Sequence, residues 1–186
     1  MADVKSSEDV VKFLKEQHET IRRLFAETLG ASVKERREAS FAELRKLLAV
    51  HETAEEMVVH PTARKEIPNG QAIVDARLNE ENQAKQELSN IEKMDVMSDQ
   101  FVTALTRLQQ AVLEHAEHEE REEFDQLARE MKPEELQRMK TAVQASERIA
   151  PTHPHPGVES AAENLAVGPF ASMMDRARDL IKQAVG

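Results

Sequence analysis

The sequence contains no cysteine, which excludes disulfides, zinc fingers, thiolate-held iron–sulfur clusters and cysteine nucleophiles. It has no tryptophan and no tyrosine, and its 3% aromatic content is entirely 6 Phe. Only 5 Gly and 7 Pro occur in 186 residues, so turn-formers are few, collagenous or low-complexity chains are excluded, and helix is favoured. The longest apolar runs are a few residues, as in "LLAV" at 47–50, too short to span a membrane. The opening "MADVKSSEDV" lacks the apolar stretch of a secretory signal, so the expected location is the cytoplasm. Basic side chains are the minority, 25 against 35 acidic, for a formal net charge of −10. Such a chain repels a phosphate backbone and shows no Lys/Arg cluster with aromatic partners, so nucleic-acid binding is not expected. What remains is 40% hydrophobic and 32% charged, the mixture of one soluble globular domain with a real core.

Apolar residues recur at three- and four-residue steps from residue 8 to about 147, the pattern of amphipathic helices. Val10, Val11, Leu14, Ile21, Leu24, Phe25 and Leu29 mark the first helix, with Ser6 or Ser7 as its start and Gly30 as its stop. The second runs from about Val33 to Arg64, with Phe41, Leu44, Leu47, Leu48 and Val50 inward, and Pro61 is expected to kink or end it. "IPNG" at 67–70 reads as a turn, followed by a third helix over about 71–94. The fourth begins after Ser98, a good N-cap, and runs to about Met131; "KPEEL" at 132–136 starts a shorter one. Long helices and short turns predict an all-α, up-down-up-down four-helix bundle over 8–147. "APTHPHPGVES" at 150–160 holds three of the prolines and cannot be helical throughout. Residues 148–186 are therefore expected to form a C-terminal extension whose final short amphipathic helix docks on the bundle.

The histidines carry the functional signal. His18 and His51 are 33 residues apart, and continuing by 31 and then 33 reaches Asn82 and His115. Half a helix, a turn and half the next helix return an antiparallel chain to one height, so four such positions converge on the bundle core. His51 is followed by Glu55 and His115 by Glu119, one turn on along the same face. A His nitrogen can then hold one metal while the carboxylate reaches the same ion or bridges to a second, about 3.5–4 Å away. The chain also repeats internally. "HETAEEMVVHP" from His51 matches "HAEHEEREEFD" from His115 in its His and its Glu at +4 and +5, and "LKEQHETIRRL" from Leu14 matches "LNEENQAKQEL" from Leu78. Two helix hairpins are thus related by a pseudo-twofold.

A His in the first helix (His18) with His-x-x-x-Glu in the second (His51, Glu55) and fourth (His115, Glu119) resembles the hemerythrin-like HHE cation-binding domains. The resemblance covers roughly residues 8–130, and the extension with "THPHPGVES" also looks like the tail of bacterial members. It implies a hemerythrin-like bundle around two non-haem iron ions, oxo- or hydroxo-bridged, that meet dioxygen, hydrogen peroxide or nitric oxide. Where the family supplies a His from the third helix, this chain has Asn82, and a neutral amide is a poor iron ligand. Glu81, one residue away, is the expected substitute, with Glu80 as the alternative.

His118, about 60° round the helix from His115, is expected as an additional ligand or a group behind the ligands. His60, nine residues after His51, falls on the opposite side and is expected to pack. His153 and His155 read as loop residues, Glu117, Glu120 and Glu123 as a solvated face, and the 8 Met as core filler. Carboxylates and imidazoles without thiolates suit iron, with zinc or manganese as alternatives. The favoured function is a di-iron protein in oxidative or nitrosative stress response or sensing. The alternatives are a catalase-like or ferroxidase-like enzyme and a bundle merely stapled by zinc or one iron. Nothing in the sequence indicates a protein partner.

Overall fold

A computed structural model describes residues 9–150 and 152. Asp9 caps α1 (Val10–Gly30) by accepting from the backbone N–H of Lys12 at 3.0 Å, satisfying one of the orphan donors of the first turn. Its buried residues, Val10, Leu14, His18, Ile21, Leu24, Phe25 and Thr28, form one stripe with His18 at its middle. A short turn leads to α2 (Lys34–Ala54), which passes through a π-turn at Glu55–Val59 into α3 (His60–Glu66). Pro61 was expected to kink or end this helix, yet the helix continues through it. Pro61 lies in the first turn of α3, and the N–H of His60 before it bonds back to the carbonyl of Glu55. A π-turn already breaks the α-type hydrogen-bond register, so a residue without an N–H is accommodated there.

The "IPNG" turn reverses the chain. Asn69 takes the left-handed conformation (φ 58°) and Gly70 opens α4 (Gly70–Ile91). Ser98 caps α5 (Asp99–His118), its hydroxyl accepting from Phe101 N–H at 3.1 Å. A second π-turn, Glu119–Phe124, leads into α6 (Asp125–Glu130), and α7 (Pro133–Glu147) closes the described region. Four helical columns therefore run up and down: α1, α2 with α3, α4, and α5 with α6. Among the described residues there is no strand, and no helix is long and apolar enough to cross a membrane. The expected final helix of the extension, with His153 and His155, lies outside the described residues.

Helix α7 packs against α1, α2 and the first π-turn. It explains why α2 changes from a narrow stripe (Phe41, Leu44, Leu48) to burial on all sides at Ala49 and His51–Ala54. The interior consists of two apolar clusters. One holds Ile21, Phe25, Leu44, Leu48, Leu88, Phe101 and Leu105, with Phe41 edge-on to Phe101 at 5.1 Å between ring centroids. The other holds Leu14, Val58, Val74, Leu78, Phe124, Leu127 and Met139. Each column crosses between the clusters at a polar residue: His18 between Leu14 and Ile21, His51 and Glu55 between Leu48 and Val58, Glu81 between Leu78 and Ala84, and His115 and Glu119 between Val112 and Phe124. A buried polar layer thus divides the core.

Candidate metal centre

Helical spacing brings the motif residues of all four columns to one level. His18 Nε2 lies 3.1 Å from His51 Nε2, 3.3 Å separates His18 Nε2 from Glu119 Oε2, and the same distance separates His51 Nε2 from Glu55 Oε2. On the other side, His115 Nε2 stands 3.3 Å from Glu119 Oε1 and 3.9 Å from Glu81 Oε1. Two ligand sets result, each with its donor atoms within 4.8 Å of one another: His18, His51, Glu55 and Glu119, and Glu55, Glu81, His115 and Glu119. Glu55 and Glu119 belong to both. Glu81 sits in the second set, 1% exposed, whereas Asn82 is half-buried and belongs to neither.

The far side of each imidazole is also engaged, which fixes its ring. Gln17 Oε1 meets His51 Nδ1 at 2.7 Å, Glu120 meets His18 Nδ1 at 2.8 Å, and Glu80 meets His115 Nδ1 at 2.9 Å. Partners of this kind turn the remaining nitrogen toward the metal position. Phe124 stacks on His18 with ring centroids 5.6 Å apart. His118, expected at or behind the ligands, is half-buried and lies outside both sets; its Nδ1 bonds Glu80 at 3.0 Å. Glu80, the alternative to Glu81, instead joins His115, His118 and Arg77.

Three expectations are corrected. His60 does not simply pack: it is 2% exposed and enters the polar layer, with Nε2 2.5 Å from Glu81 Oε1 and Nδ1 2.9 Å from Glu123 Oε1. Glu123 is not solvated but fully buried, and with His60 and Glu119 forms a third grouping of ligand atoms. Glu120, expected on the solvated face, holds His18. Glu117 is exposed as expected. The π-turns cause the shifts of His60 and Glu123. Nine α-helical residues rotate His60 to about 180° from His51, but a π-turn absorbs one extra residue and leaves it near 80°. The second π-turn moves Glu123 inward in the same way. The matching distances of His60 and Phe124 from their motif histidines were the available signal in the sequence.

The electrostatics follow from burying many carboxylates together. Burial, reinforced by Glu119, holds Glu55 well above the ordinary carboxyl range. Burial also pushes Glu119 up, but His115 and His18 outweigh it and hold it well below that range. Glu81 is lowered, burial again being outweighed, by His60 and His115. His51 is lowered to about 3 by burial and by the neighbouring His18, so it presents a free lone pair at neutral pH. Burial opposes charge on His18, His60 and His115 too, but facing carboxylates raise all three, His60 and His115 well above their ordinary value. Beside the site, buried Lys85 pairs with Glu56, and Glu52 is pushed up to about 8 by burial. Neither Lys85 nor Glu52 was singled out by the sequence pattern.

The donor set fits a cation. Both oxygens of Glu55 and of Glu119, Oε2 of Glu81 and of Glu123, and Nε2 of His115 are buried without a properly oriented hydrogen bond. A folded chain rarely leaves so many buried acceptors together, because each costs the desolvation of an unsatisfied group. A divalent ion would satisfy several at once.

A helical bundle with buried His/Glu ligand sets from every column defines a cation-binding fold. The chain matches the Hemerythrin HHE cation binding domain family over residues 9–127, and it belongs to that family. Among solved structures it resembles a Hemerythrin HHE cation binding domain-containing protein from Mycobacterium kansasii, with a TM-score of 0.67 and 17% identity over 95% of this chain and 98% of that one. At that identity the likeness establishes the fold. No curated protein matches the chain.

Proposed function

We propose that the polar layer holds two iron ions and that this pair binds or reacts with dioxygen, hydrogen peroxide or nitric oxide, in oxidative or nitrosative stress response or sensing. The observation that carries the reading is the sharing of Glu55 and Glu119 between two adjacent ligand sets. A carboxylate common to two sets has the geometry of a bridge. His18 and His51 would serve one ion and Glu81 and His115 the other. Oxygen and imidazole donors without thiolate suit iron, and they also accept manganese or zinc. When bound, a ferrous pair supplies two electrons to an oxidant.

The chain's own part is to hold the ligands in fixed orientations and to restrict access. Beside the ligands lies a cavity of about 10 Å³ lined by His18, His51, His115 and Glu52 together with Ile21, Leu48 and Val112. That is near the lower limit for one water, so this face has no room for a large substrate. Apolar walls on one side keep bulk water out.

The test is addition of peroxide, and separately of nitric oxide, to the iron-loaded protein under anaerobic conditions. The reading expects a spectral change with each ligand. One peroxide consumed per iron pair identifies a sensor or carrier, and many per pair identify a catalase-like enzyme. An iron-loaded protein whose spectrum responds to none of peroxide, nitric oxide and dioxygen contradicts the reading.

A further inference from the structure

The two π-turns stand at matching places, each beginning at the Glu of a His-x-x-x-Glu pair. One turns His60 into the core and the other turns Glu123, and the two side chains meet at 2.9 Å. The other nitrogen of the same imidazole meets Oε1 of Glu81 at 2.5 Å. A carboxylate thus stands at each ring nitrogen, so the His60 imidazole is held from both sides. Glu81 Oε2 is left buried and without a hydrogen bond. Fixing one oxygen matters because Glu81 has a long, rotatable side chain. With one oxygen fixed by an imidazole that is itself fixed by Glu123, the carboxylate is held in one orientation.

We propose that His60 is a positioning residue: held by Glu123, it fixes the Glu81 carboxylate, whose Oε1 also stands 3.9 Å from His115, in place as a ligand of the second metal position. The inference rests on the two-metal reading above. It also gives the paired π-turns a purpose. An uninterrupted α-helix would carry His60 about half a turn away from His51, and Glu81 would lose its partner.

Titration of the metal-free full chain with Co(II), whose visible bands report the donor set of each ion, tests this in the wild type and in His60→Phe, His60→Gln and Glu123→Leu. Far-UV circular dichroism checks helicity in each. The wild type takes up two equivalents. His60→Phe keeps the first and binds the second about 10–100-fold more weakly, the usual cost of removing a partner behind a ligand, with altered bands. Glu123→Leu shifts affinity and bands the same way by less, and it decides the matter if His60→Phe does not fold. His60→Gln, whose amide still donates to Glu81, restores most of the affinity.

Unchanged affinity and bands for the second equivalent in His60→Phe and Glu123→Leu overturn the inference. So does a His60→Gln as weak as His60→Phe, or a third wild-type equivalent lost in His60→Phe, since either makes His60 a ligand. A wild type that takes one equivalent or none overturns the two-metal reading itself, a result distinct from the others.

Discussion

Lowering the pH from 7 to 6 should weaken metal binding steeply, because two of the proposed ligands carry protons that a metal must displace. Burial and the nearby Glu119 hold Glu55 well above the ordinary carboxyl range. His115 is held well above the ordinary imidazole range because Glu119 and Glu80 outweigh its burial. His18 is raised as well, whereas His51, lowered to about 3, is already deprotonated. Both Glu55 and His115 therefore hold more protons in the metal-free state than in the loaded one, and acid favours the metal-free state. The dependence runs through neutral pH up to the raised values and flattens above them. Each displaced proton contributes at most a factor of ten per pH unit, so two set an upper limit of about 100-fold. His18 adds to the slope as the pH falls toward its ordinary range. Calorimetric titration at both pH values, in buffers of differing ionisation enthalpy, counts the protons directly. Release near zero, with affinity independent of pH, would refute the assignment of Glu55 and His115.

His51→Ala and His115→Ala should each lose most bound metal by elemental analysis, because each removes a core ligand; unchanged content in both would remove the site as described. Glu81→Ala should lower occupancy more than Asn82→Ala, since only Glu81 contributes to a ligand set; the reverse ranking would show α4 to be assigned wrongly. Gly70→Ala should destabilise the fold by about 1–3 kcal/mol in urea, in the manner of an overpacked core. An added Cβ there would stand 2.3 Å from the carbonyl oxygen of Ala63, and an unshifted midpoint would contradict that contact.

The bundle was legible because α-helical periodicity is regular. Val10, Leu14, Ile21, Leu24 and Phe25 lie on the buried face their spacing indicated, Ser98 caps α5, and "IPNG" turns the chain. The same regularity placed His18, His51 and His115 at one level. It misplaced His60 and Glu123, because residue spacing converts to direction only while the helix stays α. A π-turn inserts one residue without changing composition, so the residues of "EEMVV" and "EEREEF" do not announce it, and only the matching +9 spacing of His60 and Phe124 hints at it. Pro61 was read as a break for a related reason: the adjustment that tolerates it is a hydrogen-bond shift from His60 to Glu55. Glu52 and Lys85 were missed because their burial depends on a third dimension, the packing around α2 and α4, that no single helix's pattern contains.

The central claim is a bridged iron pair held by Glu55 and Glu119. The most direct test is the near-ultraviolet and visible spectrum of protein purified from an iron-fed host, with elemental analysis of the same sample. Without Trp or Tyr, absorption from iron stands on a nearly empty background. The account predicts about two irons per chain with a near-ultraviolet band. Zinc, or less than one metal per chain, with no such band would contradict it.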